Sequence, residues 1–206
     1  MERALRVGAA VFNEGDHHAA HDAWEEEWLP LEAGTADERL LHGLIQYTAA
    51  VYHARNRNWS GARGLAESAG EYLGGVAPDY REVNVGAVRA YLGRLAADPE
   101  FAERASPVPL TVGGVAVRAE DLSFEGVAEA ARLLAADGER WDEGVVEDAA
   151  RYGREEVEAD ASTTRFVALL FEFVGGGERR GLVYQRLREH TERRRGREED
   201  VSGLFE

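Results

Sequence analysis

Residues 17–28 read His-His-Ala-Ala-His-Asp-Ala-Trp-Glu-Glu-Glu-Trp, with Asp16 before them and Leu29-Pro30 after. Asp16 can cap a helix here, and Pro30 discourages its continuation. Advancing about 100° per residue from His17 brings His17, His21, Trp24 and Trp28 within about 60° of one another, with Ala20 and Leu31 beside them. Glu25 sits about 40° further round, while Asp22 and Glu26 point well away. The stripe therefore buries two tryptophans and two histidines and carries one carboxylate at its edge. His21 and Glu25, four apart, can meet. His17 and His18, at a helix start that disfavours imidazolium, read as partly exposed neutral residues.

A complementary helix follows. Thr35 is a capping residue with Glu38 three positions on, and the apolar spacing runs from about Asp37 to Asn56. Leu41, Leu44, Ile45, Thr48 and Tyr52 share one face, and His42, Gln46, Ala49 and His53 form a second stripe about 60° wide. If the two helices pair across the Leu31–Ala36 turn, Glu25 lies level with His42 and His21 with Gln46. The expectation is a polar constellation of His, Glu, His and Gln inside an apolar seam.

Outward from this pair the chain is helical nearly throughout. Ala4–Phe12 has helical apolar spacing and stops at Asn13-Glu14-Gly15. Further helices are expected from Asn58 to about Gly74, over Val85–Ala97 with Asn84 as cap, and at about Phe124–Ala136, Trp141–Glu158, Thr163–Val174 and Arg180–Arg195. Between them, Leu110-Thr111-Val112 and Val115-Ala116-Val117 flank Gly113-Gly114, a hairpin signal with the valines on one face. Short connections favour antiparallel neighbours. The fold class is all-α: an antiparallel bundle of about nine helices with one small β-hairpin near 110–117.

The 206 residues carry 24 basic and 39 acidic side chains, for a net charge of −15, and contain no cysteine. That excludes disulfides, thiolate metal sites and a thiol nucleophile. Every basic residue is arginine, and the acid is evenly spread: 10 basic and 17 acidic residues (−7) in 1–105, 14 and 22 (−8) in 106–206. Such a surface repels itself in dilute salt and is screened at molar salt, where the Debye length is about 3 Å. A salt-loving, halophile-type cytoplasm is the expectation. No basic face offsets the acid, so nucleic acid is not an expected partner. The Arg193–Arg197 cluster, followed by Glu198, Glu199 and Asp200, reads as a solvated helix end. The longest apolar run, Phe166–Phe171, falls far short of the roughly 20 residues of a membrane span, and Met1–Asn13 does not resemble a signal peptide. The chain is read as cytoplasmic, with no membrane partner and with a small-molecule ligand or a second copy of itself as candidate partners.

Phe12-Asn13-x-Gly15, then Ala20-His21-x-x-Trp24-Glu25-x-x-Trp28, then Gly43-Leu44-Ile45-Gln46 with Ala49 and Asn56, resembles the domain-of-unknown-function 309 family over about Leu5–Leu73. The resemblance implies a small all-helical protein, grouped with predicted metal-dependent hydrolases. The family usually carries a Glu two residues before the histidine, where this chain has Ala19. Residues 1–105 form the family-like core with the His/Trp/Glu motif, and 106–206 form a hairpin and helical extension packed on it.

Three function classes fit these residues. In a metal-assisted hydrolase, His21, Glu25 and His42 ligate a divalent ion such as zinc. Gln46 orients water, and Glu25 and Gln46 are the catalytic candidates. In a small-molecule binding module, Trp24 and Trp28 form an apolar wall and His53 joins the ligand-binding set. In a structural or interaction protein, the cluster only fixes helix register. Trp residues at helical spacing are more often core, and a His four from a Glu is more often a core pair than a ligand set. Against that, each buried polar group left unpaired costs on the order of 1–3 kcal/mol, which selection for stability alone would remove. No Ser-His-Asp order, Walker loop or dinucleotide glycine pattern is present.

Overall fold

The computed structural model describes residues 1–137 and 140–202. Among them are nine α-helices and one two-stranded antiparallel sheet, as the spacing predicts. The chain divides into two compact units, Met1–Leu122 and a second that begins at Ser123.

The first unit contains α1 (Glu2–Asn13), α2 (His17–Trp28), α3 (Ala36–Arg55), α4 (Trp59–Gly74) and α5 (Val85–Ala97), then β1 (Thr111–Val112) and β2 (Val115–Ala116). Of the expected caps at Asp16 and Thr35 only Thr35 bonds its first turn, and Asn58 adds a cap ahead of α4. Thr35 accepts from the Glu38 amide, and Asn58 accepts from the Gly61 amide. Each satisfies an otherwise orphaned N–H of a first helical turn. Consecutive helices α1 to α5 pack on their neighbours, as short connections require. Trp24 is fully buried, and its indole N–H donates to the Ala4 carbonyl of α1 at 3.0 Å. Gly8 makes that approach feasible, since a Cβ there would lie 2.2 Å from the Trp24 ring.

Gly113 and Gly114 both have positive φ (+64° and +80°), the backbone of a type I′ hairpin turn. The three valines do not share one environment. Val115, beside the turn, is 63% exposed, whereas Val117, whose amide donates to the Leu110 carbonyl, is buried. The hairpin belongs to the first unit, and two asparagines hold it there. Asn13, the last residue of α1, donates to the Leu110 and Val117 carbonyls at 2.8 and 2.9 Å and accepts from the Leu110 amide at 2.8 Å. Asn84 donates to the Pro109 carbonyl and accepts from the Thr111 amide, both at 2.9 Å. Asn84 therefore does not cap α5 with its side chain.

The second unit contains α6 (Phe124–Ala136), α7 (Glu143–Glu158), α8 (Arg165–Val174) and α9 (Arg180–Ser202). Arg180 is buried because its guanidinium caps the end of α8, donating to the Phe173 and Val174 carbonyls. The arginine cluster is solvated, with Arg193 and Arg194 59% and 46% exposed. α9 continues to Ser202, so the cluster lies within the helix, where Arg194 pairs with Glu155 of α7 at 3.0 Å and Arg195 pairs with Asp148. No helix among the described residues is long and apolar enough to cross a membrane.

Candidate functional site

The expected seam resolves into two separate polar groups, one on each helix.

On α2, His21 Nδ1 lies 3.1 Å from Asp22 Oδ1. His21, Asp22 and Glu25 each offer a donor atom, and these atoms lie within 4.8 Å of one another. His21 and Asp22 are each about one-third exposed, and Glu25 is half-buried. The wheel places Asp22 on another face, yet its carboxylate belongs to this group. Neighbouring Cα positions diverge by about 100°, but at a half-exposed site a short side chain folds back across that angle. His18, which is 65% exposed, lies 3.6 Å from the other Asp22 oxygen.

On α3, Glu38, His42 and Gln46 occupy successive turns. Glu38 Oε1 lies 3.1 Å from His42 Nδ1 and accepts the Trp28 indole N–H at 3.1 Å, while Oε2 accepts the Gly34 amide at 3.1 Å. His42 Nε2 lies 3.0 Å from the Gln46 amide nitrogen. A carboxylate only accepts, so His42 donates from Nδ1, and Nε2 accepts from Gln46. The imidazole also lies between two rings, Trp28 at 4.6 Å and Tyr72 of α4 at 3.8 Å. Burial raises the Glu38 pKa, but the hydrogen bonds from Trp28, Gly34 and His42 outweigh it and hold the carboxyl below its usual range. Gln46 Oε1 is buried without a partner among the described residues.

The structure thus brings His21 together with Glu25, and His42 together with Gln46 and Trp28. No hydrogen bond or ion pair joins His21 or Glu25 to His42 or Gln46 among the described residues. Trp24, sealed against α1, presents no face to a ligand. His53 lies about two turns beyond Gln46, where its Nδ1 is 2.8 Å from the Asn58 amide nitrogen at the α3–α4 turn. Asn58-Trp59-Ser60, a glycosylation sequon by pattern, has its asparagine committed to that cap. His17 is buried, at 6% exposure, because the start of α2 tucks its ring against Phe12 at 4.9 Å.

Three residues of the site were not singled out from sequence: Asp22, Glu38 and Tyr72. Glu38 carried a usable signal, since it stands four before His42 on one helical face. Its position three after Thr35 reads equally as part of a capping box, and that reading competes.

An antiparallel helical unit with histidine–carboxylate groups on two adjacent helices is the class that fold and site define. Residues 5–65, from α1 into α4, match the family model described as Domain of unknown function (DUF309). No curated protein matches the chain.

Proposed function

We propose that the first unit is a divalent-cation module with hydrolytic chemistry, in which His21, Asp22 and Glu25 hold the ion. The observation that carries this reading is the convergence of one imidazole nitrogen and two carboxylates within 4.8 Å on a half-exposed helix face. Donors at about 2.0–2.2 Å from a common ion lie within about 4.4 Å of one another, so small rotamer changes close the set. One nitrogen and two oxygens suit zinc or manganese, and three protein ligands leave positions open for water and substrate. A bound ion of this kind lowers the pKa of its water toward about 7. In the chain itself, Asp22 fixes the orientation of the His21 ring at Nδ1, and Glu25 holds the second carboxylate one turn away. Ala19 brings no carboxylate to the set, and the acids beside His21 are Asp22 and Glu25.

His42 and Gln46 do not enter this set. They support a second reading for their own group, a staple tying α3 to α2 and α4, because both ring nitrogens of His42 are already bonded and both ring faces are covered.

The test is titration of the untagged full chain with ZnCl₂ or MnCl₂ by calorimetry, with elemental analysis of the purified protein. His21→Ala and Glu25→Gln are expected to abolish uptake, whereas His42→Phe leaves uptake intact and lowers the melting temperature. Absence of uptake by the unmodified chain, or loss of uptake in His42→Phe equal to that in His21→Ala, overturns the assignment. Ion-dependent cleavage of activated ester and phosphoester substrates, absent in His21→Ala, tests the hydrolytic part.

A further inference from the structure

His17 is the first residue of α2, and it is buried as few histidines are. It is 6% exposed, and neither ring nitrogen has a partner among the described residues. Its ring lies 4.9 Å from Phe12 of α1, which in turn lies 5.0 Å from Tyr47 of α3. A second proton, added to the bare ring nitrogen, would find no acceptor there. It would also stand at the positive end of the α2 dipole, where Asp16 makes no side-chain hydrogen bond to the first turn. The charged groups acting on the ring are Arg55, at the end of α3, and Asp16. Burial first and Arg55 second push the His17 pKa down to about 4, and Asp16 pulls weakly the other way.

We propose that His17 is an acid-sensitive latch: neutral, it locks the Glu14–Asp16 corner and the first turn of α2 onto α1; protonated, it releases them.

The corner is built so that it can open without unfolding its neighbours. Gly15 sits at φ +94°, and Glu14, Gly15 and Asp16 donate backbone bonds to Ala10, Phe12 and Val11, while the Asp16 carbonyl accepts from the Ala20 amide. In the opened corner the imidazole meets water and recovers its ordinary pKa of 6.5. The closed state thus binds the proton less tightly than the open one. Closure is at full strength above pH 6.5 and weakens as pH falls from 6.5 toward 4. With those two values, the opening equilibrium rises about 30-fold between pH 7.5 and pH 5. α2 also carries His21, Asp22 and Glu25, so release loosens the helix that presents them. The latch stands whether or not those residues bind an ion.

The test is amide hydrogen exchange on the full chain at pH 7.5 and pH 5, corrected for the intrinsic chemical rate, together with NMR titration of the histidine rings. The expected result is a fall of about 30-fold in protection at residues 14–20, with the middle of α3 unchanged. In His17→Gln that fall disappears. If His17→Gln does not fold, the unmodified chain decides alone. A His17 ring titrating near 6.5 with corner protection unchanged overturns the latch. So does a loss of protection spread evenly over the first unit, because it shows global unfolding rather than release of a corner.

Discussion

Gly8→Ala tests the packing of α1 on α2 with a single methyl group. In an exposed helix this change stabilises by roughly 0.5–1 kcal/mol, because it removes backbone freedom from the unfolded chain. Here the new Cβ would lie 2.2 Å from Trp24 Cε2 and 2.3 Å from its Nε1. Ordinary carbon contacts lie at about 3.5–4.0 Å, so the ring or the helix must move by more than about 1 Å. The ring is fully buried, and overpacking of this kind costs about 1–3 kcal/mol. The same movement breaks the indole bond to Ala4, and a buried donor left unpaired costs about 1–3 kcal/mol more. After the helix-propensity gain is subtracted, the expected net loss is about 3 kcal/mol. With an m-value of about 1–3 kcal/mol/M, the urea midpoint of the first unit falls by about 1–3 M. Gly64→Ala and Gly70→Ala on α4 are the controls, since nothing lies within 4 Å of a Cβ at either position. Both are expected to be neutral or stabilising in the same circular-dichroism melts. A Gly8→Ala protein as stable as the controls would refute the α1–α2 packing argument.

Asn13→Ala removes three hydrogen bonds between α1 and the hairpin, and at about 1 kcal/mol each it is expected to destabilise the first unit by about 3 kcal/mol. Loss of amide protection at Leu110, which donates to Asn13, reports the effect directly. The net charge of −15, carried with arginine and no lysine, predicts a melting temperature that rises from dilute buffer to molar KCl. A flat or falling curve in scanning calorimetry would show that the acidic excess is incidental to folding.

The helices were legible because their ends are marked by residues whose chemistry is local. Thr35 caps by reaching three residues forward, and that reach is visible in the sequence. Asn84 has the same local appearance, but its amide is spent on Thr111, 27 residues away. Asn13 likewise reads as a helix stop, while its side chain bridges 97 residues to Leu110. A cap and a tertiary tie use the same atoms, and only the distant partner separates them. The attachment of the hairpin to the first unit was hidden for that reason. The arginine cluster of α9 is solvated as its charge pattern suggests, but counting charges along the chain does not show that Glu155 and Asp148 meet it from α7.

The polar seam shows where helical angles stop being informative. Angle decides which residues can be buried together, and it placed His21 with Glu25 and His42 with Gln46. It does not decide which acceptor a histidine takes once several lie within reach. His42 has Glu38 one turn before it and Gln46 one turn after, so both nitrogens find partners without leaving α3. A ring satisfied within its own helix has nothing to offer across the seam. Its burial between Trp28 and Tyr72 then stabilises packing instead of exposing a reactive nitrogen. His21 has only Asp22, at a half-exposed position, with Glu25 one turn on. The two histidines came from one predicted constellation, yet their bonding differs. The saturated one packs helices together, and the proposed reading gives the other the ligand. Removing each in turn separates the tasks, since loss of His42 should appear in stability and loss of His21 in ion uptake.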